Sequence, residues 1–114
     1  MATSSTTDAA AIREELLGRA AALAPVLKER AARTEALRQI PPETVQDLIA
    51  AGLLRIATPD RYGGHGIEYD AIFDVGWELG RGCGSTAWCY SVWAVHTWIV
   101  GHFPEQAQEE FFAS

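Results

Sequence analysis

Apolar positions recur at helical spacing in successive blocks of this chain, and prolines and glycines mark where each block ends. The pattern predicts an all-α fold of about five helices. In the first block Ile12, Leu16, Leu23 and Leu27 share one side, with arginines and glutamates between them. Thr7 or Asp8 can cap this helix by offering an oxygen to its unpaired N–H groups, and residues 1–7 read as a disordered N-terminus. Pro25 falls inside the pattern and removes one backbone donor, so a kink or break is expected near Ala24, with helix resuming to about Arg38.

Ile40-Pro41-Pro42-Glu43 is a helix start: proline suits the first turn, and the acidic side chain suits its positive end. A helix over 42–51 follows, with Val45, Leu48 and Ile49 as the buried stripe and Gly52 as the left-handed stop. Residues 53–66 read as loop, pinned by Leu53, Leu54 and Ile56. The run Gly63-Gly64-His65-Gly66 admits a phosphate cradle, but neither the P-loop lysine nor GxGxxG spacing is present. A structural turn is the favoured reading. A third helix spans 69–81, with Ile72, Val75 and Leu79 inward. Gly82-Cys83-Gly84 connects it to a fourth over 85–103, capped by Ser85, and a fifth opens at Pro104-Glu105.

The fourth helix stands apart. Trp88, Val92, His96, Ile99 and Phe103 lie on one face, while Tyr90, Trp93, Thr97 and Val100 cover another sector, also large and uncharged. A helix apolar nearly all round belongs inside protein, and four short partners would struggle to enclose it. Its single histidine, His96, therefore reads as buried. It is either a core imidazole with both nitrogens satisfied, or a neutral imidazole facing a pocket where it could deprotonate a hydroxyl. Trp88, two turns away, could wall such a pocket for a flat substrate. Trp77, Trp93 and Trp98 read as packing residues, His65 and His102 as surface ones.

Composition narrows the function. Fifteen acidic residues against nine basic ones give a net charge of −6, which disfavours a phosphate backbone, so no nucleic-acid partner is expected. The basic residues from Arg13 to Arg38 sit among acidic neighbours and read as a solvated helix face. The apolar stretch 87–100 is shorter than the ~20 residues a bilayer requires, and the first residues lack a signal-peptide pattern, so a cytoplasmic protein without a membrane partner is expected. Cys83 and Cys89 read as reduced thiols, and no metal-ligand spacing occurs.

The ordered motifs Arg33-Thr34-Glu35, Ile40-Pro41-Pro42-Glu43-Thr44-Val45, Pro59-Asp60-Arg61-Tyr62-Gly63-Gly64 and Cys83-Gly84-Ser85-Thr86-Ala87-Trp88 resemble the N-terminal helical domain of the acyl-CoA dehydrogenase superfamily. Cys-Gly-Ser-Thr-Ala-Trp with His96 eight residues beyond Trp88 is most similar to the two-component, reduced-flavin-dependent monooxygenases that hydroxylate phenols and polyketide pigments. The resemblance implies that residues 8–114 are the N-terminal helical domain, truncated before a β-rich middle domain. It implies His96 as the catalytic group at the substrate's phenolic oxygen, with Trp88 and Val92 binding the aromatic ring. It implies reduced flavin (FMN or FAD) and O2 in the complete enzyme, a separate flavin reductase, an aromatic small-molecule substrate and a homo-oligomer, tetrameric in the family. This chain alone is expected to bind no flavin and to be inactive. Two other readings remain open: a fragment of an acyl-CoA dehydrogenase, and a non-catalytic helical interaction module.

Overall fold

The computed structural model describes residues 2–113, and their side chains from residue 8 onward. All regular structure among them is helical: α1 (Ala2–Leu37), α2 (Pro42–Ala50), α3 (Asp70–Gly80), α4 (Gly84–Val100) and α5 (Glu105–Phe112), with short 3-10 turns at Leu53–Arg55 and Asp60–Tyr62. No helix of the described residues is long and apolar enough to cross a membrane. The expectation of a disordered stretch at 1–7 falls on residues whose side chains lie outside those described, and Met1 lies outside altogether.

The first helix differs from its expected form at two points. It extends back to Ala2 instead of starting at a Thr7 or Asp8 cap, and it runs unbroken through Pro25. Pro25 is exposed, as is Ala21, whose carbonyl loses its partner to the proline ring, so water can satisfy that oxygen and the helix continues. Leu16, Ala20 and Leu27 are buried along its inner side. On α2 the buried pair is Thr44 and Leu48, while Ile49 is exposed, which turns the expected stripe by part of a turn. Gly52 then takes φ +75°, the left-handed stop anticipated for it.

The central helix is α3, packed against α1 on one side and α4 on the other. Ile72, Val75 and Leu79 join Leu16, Leu27, Leu48, Leu53, Ile56, Tyr90 and Ala94 in one core. Close approach of the backbones depends on small residues. A Cβ on Gly76 would meet Ser91 Oγ at 2.9 Å, and one on Gly82 would meet the Ala24 carbonyl oxygen at 2.1 Å. The connector between α3 and α4 is thus pressed onto α1 beside Pro25.

Ion pairs tie the layers together. Arg30 donates to Asp47 at 2.6 Å and Arg33 to Glu43 at 2.8 Å, hanging α2 on α1. Arg13 reaches across to both Asp70 and Asp74 of α3. These arginines, expected to form a solvated face, instead act as cross-helix clamps.

The domain measures 45 × 31 × 19 Å. Its short dimension holds only two helices of ~10–12 Å diameter. The radius of gyration is 14.6 Å, against the roughly 13 Å expected for a compact domain of this length. A two-layer slab has outer faces with nothing packed on them, and α4 shows one.

Candidate functional site

The fourth helix begins at Gly84, with Cys83 as its cap in an extended conformation and no side-chain capping bond. Ser85 therefore lies inside the first turn and does not cap, while Thr86 is buried. The helix ends at Val100, and the chain turns through Phe103 into Pro104, which precedes α5.

Trp88, Val92, His96, Ile99 and Phe103 share a face as their spacing requires, but that face points outward. Trp88 is 72% exposed and Phe103 47% exposed. His96 is also exposed, and Val92 half-buried. The inward side of α4 is instead Thr86, Tyr90 and Ala94. Small side chains decide this orientation: Ser91 and Ala87 let α4 approach Gly76 and Gly80 of α3, which the bulkier opposite face could not do. Tyr90 donates its phenol to the Leu53 carbonyl at 3.0 Å, and burial pushes that phenol well above its ordinary range.

The expectation that His96 is buried is thus corrected, and its hydrogen bond defines its chemistry. Nδ1 lies 2.7 Å from the Val92 carbonyl oxygen. A carbonyl can only accept, so Nδ1 carries the proton and the neutral ring keeps an acceptor lone pair on Nε2. Nε2 has no partner among the described residues and stands on the exposed ring. His102 makes the same bond to Trp98 at 2.9 Å, but its ring also packs on that indole, 4.4 Å between centroids. An aromatic row continues from Trp98 to Tyr69 and Phe73. His65, expected at the surface, is half-buried over Gly52.

The glycine-rich loop is structural, as favoured. The amides of Gly63, Gly64, His65 and Gly66 donate to the carbonyls of Asp60, Pro59, Arg55 and Thr58, leaving none of the four for a phosphate. A Cβ at Gly64 would lie 2.2 Å from the Thr58 carbonyl oxygen, so only glycine fits there. The adjoining Arg61 and Tyr62 hold α5. Arg61 donates to Gln108 at 2.6 Å, and the Tyr62 ring stacks on Phe112 with centroids 4.9 Å apart.

Three grooves border α4, one of them about 380 Å³ where Val100 and Phe103 face Phe111 of α5. Another, about 260 Å³, lies between the glycine loop and His102, lined by Pro59, Glu68 and Trp98. The third, about 360 Å³, lies where Arg38 approaches Ser85 and Cys89. Trp88, Val92 and His96 line none of these grooves, so the three sequence-predicted site residues form an open wall. Both cysteines are free thiols. Among the described residues no three acidic, histidine or cysteine side chains converge as metal ligands.

Residues 6–113 match the family model described as "Acyl-CoA dehydrogenase, N-terminal domain". The chain is 42% identical over 101 residues to a pigment production hydroxylase of Rhodococcus sp., an alignment covering 89% of this chain and 26% of that protein. It is 33% identical over 95 residues to the oxygenase component of an FADH2-dependent resorcinol hydroxylase of Rhizobium sp., covering 83% of this chain and 23% of the relative. Among solved structures, the HsaA monooxygenase of M. tuberculosis superposes with a TM-score of 0.85 at 33% identity, over 90% of this chain and 28% of that one. The chain therefore spans about a quarter of the length of the relatives it matches.

Proposed function

Because the chain belongs to the acyl-CoA dehydrogenase N-terminal domain family, we propose that it forms the substrate-side wall of a flavin-dependent monooxygenase that hydroxylates phenols. The observation that carries this reading is the exposed His96 imidazole, fixed by Val92 through Nδ1 with Nε2 left free, on a helix face that also exposes Trp88 and Phe103. A phenol placed against that face presents its O–H to Nε2. Transfer of the proton to Nε2 leaves a phenolate, whose ring carbons attack an electrophilic oxygen far better than the neutral phenol does.

Reduced flavin and O2 supply the oxygen atom, so that phenol, O2 and two reducing equivalents give a catechol and water. Val92 offers apolar surface beside the imidazole, and Trp88 offers a flat surface farther along the same face. These residues do not fit a whole flavin nucleotide. Its phosphates need donors, and the glycine-loop amides already bond within the chain. The nucleotide's contacts are therefore assigned to chain beyond these residues, in keeping with the quarter of each relative that is matched.

A relative named as an oxygenase component supports a separate reductase as the electron source. The outward apolar face of α4 supports burial in a larger, oligomeric protein. The test is to express the complete reading frame that carries this chain and supply phenols with reduced FAD or FMN. Catechol formation that requires both reduced flavin and O2 is expected. Oxidation of an acyl-CoA thioester by the same protein, without phenol turnover, would assign it to dehydrogenation instead.

A further inference from the structure

The residues proposed to bind substrate do not stand equally close to the proposed base. Trp88 precedes His96 by two helical turns, about 12 Å along the axis. Side chains on one helix all lean toward its N-terminus, so this separation persists at their tips. One phenol ring with its hydroxyl on Nε2 is too short to lie on the Trp88 indole. Surface neighbours of a helical residue are those three and four positions away, with Cβ atoms about 5–6 Å apart. For His96 these are Val92, Trp93, Ile99 and Val100, and Trp93 alone of them is aromatic.

Two observations favour Trp93. It stands at the edge between the buried and open sides of α4, next to the buried Ala94, with 38% of its surface exposed. Its carbonyl also accepts the Thr97 hydroxyl at 3.0 Å, while the preceding carbonyl, of Val92, accepts His96 Nδ1. Two consecutive carbonyls thus take side-chain bonds from the following turn. This bracing ties the turn bearing Trp93 to the turn bearing the imidazole.

We infer that Trp93 is the wall against which the reacting ring lies, a specificity-determining residue, and that Trp88 meets only a substituent or second ring remote from the hydroxyl. This rests on the proposed role of His96. The site is then bipartite: Trp93 acts on every phenol, and Trp88 discriminates extended phenols from single-ring ones.

The test compares phenol with 4-phenylphenol, as substrates or competitive inhibitors of the complete protein. Trp93→Ala is expected to weaken both about tenfold in KM or Ki. Trp93→Phe should restore most of that loss, and the pH profile of turnover should not move. Trp88→Ala should weaken 4-phenylphenol alone. If Trp93→Ala fails to fold, Trp93→Leu replaces it, with the same expected loss of phenol affinity. Wild-type affinity for phenol in the folded Ala or Leu variant would overturn the inference, as would equal weakening of both ligands by Trp88→Ala. His96→Asn is measured alongside. A large rate loss there with an inert Trp93 rejects the wall alone. An inert His96 with weakened binding in Trp93→Ala rejects the base and leaves the wall.

Discussion

Replacing Gly82 by alanine sets two effects of opposite sign against each other. Gly82 does not have a positive φ, so alanine can adopt its backbone conformation. On that ground alone the change would stabilise by about 0.4–1 kcal/mol, through reduced freedom of the unfolded chain. The added Cβ, however, would lie 2.1 Å from the Ala24 carbonyl oxygen, 2.9 Å from its carbon and 3.0 Å from its Cα. All three are backbone atoms of α1 and cannot swing aside as a side-chain tip would. Relief requires the connector to lift from α1, loosening the layer that holds Leu27 and Leu79. Overpacking of this kind costs about 1–3 kcal/mol, with backbone clashes at the upper end, so the clash wins by about 2 kcal/mol. For a domain of this size that lowers Tm by roughly 8–10 °C.

Gly18 provides the control. It lies within α1 and a Cβ there would meet nothing within 4 Å, so Gly18→Ala should stabilise by about 0.5–1 kcal/mol. Thermal and urea unfolding of both variants, followed by circular dichroism at 222 nm, reads the difference. If Gly82→Ala melts with or above the parent chain, the close packing of the connector on α1 is wrong.

Two further expectations concern buried and paired groups. Tyr90→Phe should destabilise by about 1–3 kcal/mol, because the buried Leu53 carbonyl loses its donor. Burial raises the Tyr90 phenol, so its stabilising contribution is complete below the unfolded tyrosine pKa of about 10 and is lost as pH rises above it. Alkaline unfolding curves of the two proteins should therefore converge, which difference absorbance can follow. At the acid end, the hydrogen bond from Arg33 holds the Glu43 carboxyl below its ordinary range. Its contribution is present above the unfolded carboxylate pKa of about 4.3 and vanishes as pH falls through the lowered value. Arg33→Ala should be the less stable protein in urea at pH 7 and match the parent near pH 2.

The helices were legible because their apolar spacing and punctuation agree: Gly52 and the prolines at 42 and 104 mark boundaries that the structure keeps within a residue or two. Which way α4 faces was not legible. A helix apolar on every side has no contrast from which to choose, and the largest residues drew attention to the wrong sector. The informative signal was small size, since Ala87 and Ser91, one helical turn apart, stand opposite Gly80 and Gly76. The arginine clamps were missed because their acidic partners sit on other helices. Asp70 and Asp74, or Glu43 and Asp47, lie four apart, a spacing that suits an arginine-bearing neighbour but does not say which one. For His96 the sequence could place the ring on a face with Trp88. Only the Val92 bond shows which nitrogen is free.

That free nitrogen is the centre of the functional account, and the substrate's own acidity tests it most directly. A phenol of pKa about 10 needs a base at pH 7 and needs none near pH 10.5, where it is already phenolate. In the complete protein supplied with reduced flavin, the hydroxylation rate of His96→Asn relative to wild type should be measured across that range by single turnover. A defect of about 10²–10⁴-fold is expected at pH 7, shrinking toward unity as the phenol ionises. A defect of the same size at every pH, or none at pH 7, would contradict it.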